Sequence, residues 1–135
     1  MLKPQSPNKK YIAAAVIEQN GKIFIAQRAK HDALLGKWEF PGGKVEGQET
    51  LEECLKRELF EELDIIATIG EYLCTSTFIH KETVFDMCMF RVTSFTGTLT
   101  LKEHSACAWV TAEELSFYDF PEPDLPVVAF LQKKQ

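Results

Sequence analysis

GKVEGQETLEECLKRELFEELDI, residues 43–65, decides the reading of this 135-residue chain. The stretch follows a glycine pair, runs into a helix expected from about Glu49 to Leu63, and ends among acids. Good helix formers fill it, and Glu49, Glu52 and Glu53 stand near its start, where the helix dipole favours negative charge. Leu51, Leu55, Leu59 and Leu63 recur every four residues and so form an apolar stripe. Glu58, Glu61 and Glu62 stand at i, i+3 and i+4 and share one face. Like charges at that spacing repel, by roughly a few tenths of a kcal/mol per pair. Glu62 falls on the edge of the leucine stripe, so the carboxylates are expected beside the core. Taken alone, such a cluster is a solvated helix face. The glycine pair before it changes that reading. Glycine lets a backbone approach a ligand closely, and hard divalent cations take oxygen ligands, with Mg²⁺ held by one or two carboxylates plus substrate phosphates.

Upstream, residues 1–9 are polar with two prolines and are expected as a flexible lead-in to a single domain over 10–135. Tyr11–Glu18 (YIAAAVIE) is a continuous apolar run, a buried strand. Asn20-Gly21 is a strong hairpin signal, and Lys22–Arg28 is the returning strand, with Arg28 at its far end. Residues 29–37 are a loop, Trp38–Phe40 a brief extended piece, and Pro41-Gly42-Gly43 a turn.

Downstream, Ile65–Ile69, Tyr72–His80 and Thr83–Thr93 read as extended, Ser94–Gly97 as a turn, and Thr98–Leu101 and Ala106–Val110 as strands. Thr111 and Glu114 form a capping-box signal for a short helical turn. Phe120-Pro121-Glu122-Pro123 breaks the chain, and Asp124 is placed to cap a last helix from about Leu125 to Gln132. Strands on both sides of a long helix give an α+β fold, helices on a mixed sheet.

A net charge of −5 argues against a sequence-independent nucleic-acid surface. It leaves room for a small anionic substrate, because a bound cation inverts the local field. Cys54, Cys74, Cys88 and Cys107 are widely spaced and read as reduced thiols, which suits the cytoplasm. The first residues lack the apolar core of a signal peptide, and no apolar run approaches the length of a membrane helix. His31, His80 and His104 show no zinc-site spacing.

Gly43, five residues, Glu49, seven residues, then Arg57-Glu58-Leu59-Phe60-Glu61-Glu62-Leu63-Asp64-Ile65 resembles the Nudix box, G-x5-E-x7-R-E-U-x-E-E-x-G-U with U a bulky apolar residue. Asp64, in place of the final Gly, is the one departure, at a helix end where Asp tolerates the left-handed conformation. The resemblance implies an α/β/α sandwich with a mixed central sheet flanked by helices, and hydrolysis of a phosphoanhydride in a nucleoside diphosphate linked to another moiety. It implies that Glu58, Glu61 and Glu62 hold Mg²⁺ (or Mn²⁺), with the Gly42 carbonyl as a further ligand. Glu49 and Arg57 would brace loop and helix as an ion pair beside Gly43. Glu58 is the expected general base, with Glu103 its rival and a further metal ligand.

Gly36-Lys37-Trp38-Glu39-Phe40-Pro41-Gly42-Gly43-Lys44-Val45-Glu46 and Phe120–Pro126 are similar to the MutT group, which cleaves (oxidised) nucleoside triphosphates to monophosphate and pyrophosphate. That likeness puts Arg28 on the phosphates, with an exposed strand-end arginine as the alternative, and Phe40, Phe78 and Asp124 at the base. Phe40 and Phe78, like Trp38 and Trp109, are more often core residues than base-stacking platforms, and Phe78 is the best stacking candidate among them. The best-known members carry Asn at position 124, which offers a donor and an acceptor to the N7–H and O6 of 8-oxoguanine. An ionised Asp only accepts, which suits N1–H and N2–H₂ of guanine. Pairing with cytosine through N3 and N4–H₂ requires a protonated Asp124. An 8-oxo-dGTP or related (d)NTP substrate is therefore expected, with a CTP/dCTP-type or broad-specificity enzyme as the alternative. A catalytically silent nucleotide-binding module is the non-enzyme alternative, disfavoured because all four box glutamates are kept. The expected partner is a small-molecule nucleotide, with no membrane, nucleic-acid polymer or obligate protein partner.

Overall fold

A computed structural model describes residues 9–32 and 34–133. Most of the lead-in lies outside these residues, and Lys9, its last member, instead opens the first strand. Strands β1 (Lys9–Gln19) and β2 (Lys22–Arg28) form the expected hairpin, with Asn20 and Gly21 both at positive φ (54° and 75°), as the tight turn demands. The continuous apolar run of β1 has a structural cause: both faces of the sheet are covered. Ala13, Ala15 and Ile17, with Phe24 and Ala26 of β2, face one core. Ala14 and Val16, with Ile23 and Ile25, face another.

The further strands are β3 (Trp38–Glu39), β4 (Gly42–Lys44), β5 (Ile66–Thr68), β6 (Tyr72–His80), β7 (Thr83–Val92), β8 (Ser94–Thr96) and β9 (His104–Val110). The main sheet runs β3-β2-β1-β7-β6, with β4 also on β1 and β9 also on β2; β1 and β7 are parallel, the other pairs antiparallel. Helix α1 (Leu51–Leu63) lays Leu55, Leu59 and Leu63 on the first core, and α2 (Leu125–Lys133) lays Val127, Val128 and Leu131 on the second. The result is the expected mixed sheet between helical layers.

Several local expectations are corrected. Helix α1 starts two residues later than expected, because Thr50 caps it: the Thr50 side chain accepts from Glu53 N and Glu53 accepts from Thr50 N, a capping box. Glu49 therefore lies just outside the helix. Gly42-Gly43 are not a turn but the strand β4, paired Ala13↔Gly43 and Ala14↔Gly42. The residues are glycine because the strand runs too close to β1 for side chains: a Cβ on Gly42 would stand 2.1 Å from the Ala13 carbonyl oxygen. Ser94–Gly97 holds strand β8, paired with β5, rather than a bare turn. Thr98–Leu101 is no strand, because its backbone answers the helix instead: Thr100 N donates to Leu63 O at 2.9 Å and Lys102 N to Glu62 O at 3.0 Å. Those carbonyls belong to the last turn of α1, which has no partners of its own. Asp64 ends the helix in the left-handed conformation (φ 61°, ψ 33°), as its substitution for glycine implies. Asp124 is not a free-standing cap; it closes a 3₁₀ turn, Glu122–Asp124, that runs directly into α2.

Gly42→Ala is expected to destabilise the fold by about 3 kcal/mol, the upper end for forced overpacking, because the obstructing atoms are backbone. Urea unfolding against the parent protein measures it.

Candidate active site

Strand β4 and helix α1 are locked together by Arg57. Its guanidinium donates to both carboxylate oxygens of Glu49 (Nη2–Oε1 3.0 Å), to Glu58 Oε2 at 3.0 Å, to Glu61 Oε1 at 3.2 Å and to the Lys44 carbonyl at 3.2 Å. Glu49 also accepts from Glu46 N, and these bonds, that to Arg57 foremost, hold its carboxyl down at about 2. The same partners raise Arg57 far above the ordinary guanidinium range. The expected bracing pair is thus present and reaches further than a pair. Cys54 Sγ donates to the Gly43 carbonyl from beneath. A Cβ on Gly43 would fall 2.3–2.6 Å from the Glu58 carboxyl group. Gly43 is glycine so that Glu58 can lie against the strand.

Glu62 lies under the influence of three further carboxylates, Glu58, Glu39 and Glu103. Glu62 is 7% exposed, and its Oε1 is buried without a hydrogen-bond partner. Burial first, then Glu58, which accepts a hydrogen bond from it, then the charges of Glu39 and Glu103, push the Glu62 carboxyl up to about 9. Glu103 reaches this position because its loop is tied to the end of α1 through Lys102 N and Glu62 O. Glu61 stands apart: its side chain is 51% exposed and turned to Arg57. Glu39 escaped the sequence reading. It lies on the two-residue strand β3, far from the box in sequence, and its only signal was a charged residue between two aromatics, Trp38 and Phe40.

Glu39 is itself held from two sides. Arg28 Nη1 donates to its Oε1 at 3.2 Å, and His104 Nε2 lies 2.8 Å from its Oε2. Arg28, expected on phosphates, is occupied by carboxylates, with Asp32 Oδ2 2.8 Å from its Nη2. Arg28 and its neighbour Leu34 N hold the Asp32 carboxyl down at about 2. Phe40 is buried and stacks on Phe120 (centroids 5.3 Å apart), and Phe78 stacks on Phe85 at the same distance. Phe40 lies in the core between sheet and α2, and the half-buried Phe78 packs against it. Asp124 borders that core, 7% exposed. Burial, and then the charge of Glu39, raise its carboxyl to about 7. The structure therefore joins two clusters, the carboxylates below α1 and the aromatics with Asp124, and Glu39 stands between them.

Against known proteins, the profile described as the NUDIX domain matches residues 7–131. The chain belongs to the Nudix family. A CTP pyrophosphohydrolase of Escherichia coli (strain K12) is 40% identical over 117 residues, 87% of each chain. An 8-oxo-dGTP diphosphatase of Buchnera aphidicola subsp. Schizaphis graminum is 33% identical, over 90% of this chain and 92% of the relative. The solution structure of the E. coli ORF135 protein superimposes with a TM-score of 0.86 at 38% identity, covering 93% of this chain and 89% of that one.

Nudix hydrolases use divalent metal, and this donor set suits one. It is all carboxylate oxygen, the choice of a hard cation. The orphaned Oε1 of Glu62 is a buried acceptor that lacks only an electropositive partner. As placed, no three His, Cys, Asp or Glu side chains among the described residues close around a single point. Glu61 in particular faces Arg57 instead.

A pH dependence follows. Glu62 titrates higher in the folded than in the unfolded chain, so its contribution to stability is full below about 4.5 and is lost as pH rises toward 9. Metal-free protein should therefore lose Tm between pH 5 and 9, by roughly 5–10 °C more than Glu62→Gln does. Cation binding should release close to one proton at pH 7, seen as buffer-dependent heat in calorimetry.

Proposed function

We propose that this chain is a Mg²⁺-dependent nucleoside triphosphate pyrophosphohydrolase of the MutT type, converting 8-oxo-dGTP or a related (d)NTP to the monophosphate and pyrophosphate. The observation that carries it is the carboxylate group against a side-chain-free strand: Glu58 against Gly43, and Glu62 buried with its Oε1 unpartnered and under the charge of Glu103. A silent nucleotide-binding module has no use for a buried carboxyl kept at such cost.

In this reading Glu58, Glu62 and Glu103 hold the cation, Mg²⁺ or in its place Mn²⁺, and Glu61 and the Gly42 carbonyl complete the set. A cation held there would supply neutralisation of phosphate charge and acidification of a water. Glu58 would accept the proton of the attacking water, its carboxylate oriented by Arg57 Nη1 3.0 Å from Oε2. Glu103, on the loop tied to the end of α1, is the alternative acceptor. Arg28 exchanges its carboxylate partners for a phosphate, a bidentate acceptor of the same geometry. Phe40 and Phe78 flank the base, and Asp124 reads its edge. All four cysteines are free, in keeping with a reducing cytoplasm.

A CTP-directed enzyme is the second reading. It is favoured by the Asp124 carboxyl, raised to about 7, which is available in the protonated form that cytosine requires.

Glu62→Gln should abolish Mg²⁺-dependent pyrophosphate release, and Glu58→Gln should lower kcat by about 10³-fold, more than Glu103→Gln does. Phosphate-release kinetics with added pyrophosphatase measure all three. Activity retained in Glu62→Gln would overturn the metal assignment.

A further inference from the structure

Strand β6 (Tyr72–His80) lies at a margin of the main sheet and pairs only with β7. Among the described residues, no backbone outside β7 hydrogen-bonds to it. Such an edge presents a row of unused N–H and C=O groups, and proteins ordinarily blunt it by shortness, proline or charged side chains. At another margin β3 is blunted by its length of two residues. β6 uses none of these devices: it is nine residues long, and YLCTSTFIH holds no proline, lysine, arginine or carboxylate. Its one irregularity is a register shift against β7 between Tyr72 and Cys74, so that Leu73 and Cys74 together fill one position of the ladder.

The two faces of β6 differ. Leu73, Cys74 and Phe78 pack against the second core, and the buried Ser76 donates from Oγ to the Pro123 carbonyl at 2.7 Å. Tyr72 and Thr75 stand opposite Phe90 and Cys88 of the first core, so Tyr72, Thr75, Thr77 and Ile79 share the other face. Tyr72 is 55% exposed and Ile79 72%, two large apolar side chains at opposite ends of that face.

We propose that β6 pairs antiparallel with β6 of a second copy of this chain, about a two-fold axis at Ser76, joining the two sheets into one.

The strand is complementary to itself in that register. With Leu73 and Cys74 counted as one position, Ser76 opposes Ser76 of the second copy, Thr75 opposes Thr77, Leu73 and Cys74 oppose Phe78, and Tyr72 opposes Ile79. Every pair unites residues of one face, as antiparallel pairing requires. Tyr72 with Ile79 joins an aromatic to a β-branched side chain, a combination that stabilises sheets, and the two-fold repeats it at both ends. The next position sets Glu71 against His80, with Lys81 beside it. The Glu71 side chain is 65% exposed and is held in place by Arg91 through Oε1 at 2.7 Å. Acid thus meets base across the axis, although each chain carries a net charge of −5. Other axes lose this match. An axis at Thr75 sets Ile79 against Gly70, and one at Thr77 sets Tyr72 against Lys81. A second copy is therefore the occupant that answers both ends of the edge at once, and an isologous contact of this kind closes at two chains. The association is independent of the cleavage chemistry.

Sedimentation equilibrium on the full chain from roughly 1 to 500 µM, the range in which small interfaces associate, is the test. The parent should pass from one chain to two as concentration rises. Tyr72→Lys with Ile79→Lys puts like charges opposite each other at both ends and should weaken association at least about ten-fold. Tyr72→Glu with Ile79→Lys puts opposite charges together in this register and should bring association back to within about three-fold of the parent. Both positions are exposed, and circular dichroism checks that the variants keep the fold. A parent that stays a single chain throughout would overturn the inference. So would a like-charge variant that associates as the parent does, or a folded opposite-charge variant that stays dissociated.

Discussion

The Arg57 guanidinium is the interaction on which the rest of the site depends. Three carboxylates stand within five residues of one helix, and that arrangement is unfavourable without a cation among them. Arg57 supplies one, and it bonds also to Glu49 and to the Lys44 carbonyl. A single planar group with five donors thereby fixes the end of the glycine strand, the loop after it and the face of the helix. Lysine, a point charge, could not reproduce that fork.

Arg57 compensates only part of the cluster. It reaches Glu58 and Glu61 but not Glu62, whose carboxyl is sealed against the leucine stripe. Burial and three neighbouring acids raise the Glu62 carboxyl to about 9 and leave it protonated at neutral pH. The free protein therefore stores an unsatisfied acceptor beside its core, which destabilises the fold and favours a ligand. The same logic recurs at Asp124, where burial and Glu39 act together. Both ends of the site keep a carboxyl away from its ordinary charge state, and the Arg28–Glu39–His104 group lies between them.

Much of this was legible along the chain. The hairpin at Asn20-Gly21, the leucine stripe and the tail helix rest on local periodicity or turn signals, which a linear reading captures, and the Glu49–Arg57 pair comes from the resemblance to the Nudix box. Helix α1 begins two residues later than its run of helix formers implies, because Thr50 and Glu53 satisfy each other in a cap that the surrounding acids mask. The segment 98–101 has a β-like alternation of threonine and leucine, yet its loop gives its backbone donors to α1 carbonyls. Glu39 could not be found, since nothing local distinguishes it from any charged residue on a short strand.

The sequence by itself determined the family, the helix that carries the acids, and Glu62's place at the edge of the core, because each follows from residue spacing on a single element. The tertiary structure alone decided what surrounds those acids. Gly42-Gly43 became a strand because β1 leaves no room for a Cβ. Glu103 reached the cluster because a loop answered the open carbonyls of α1. Glu39 came to stand between Glu62 and Asp124 because strands remote in sequence pair side by side. Charge states in the site depend on burial and on neighbours across space, and those are properties that only the folded chain possesses.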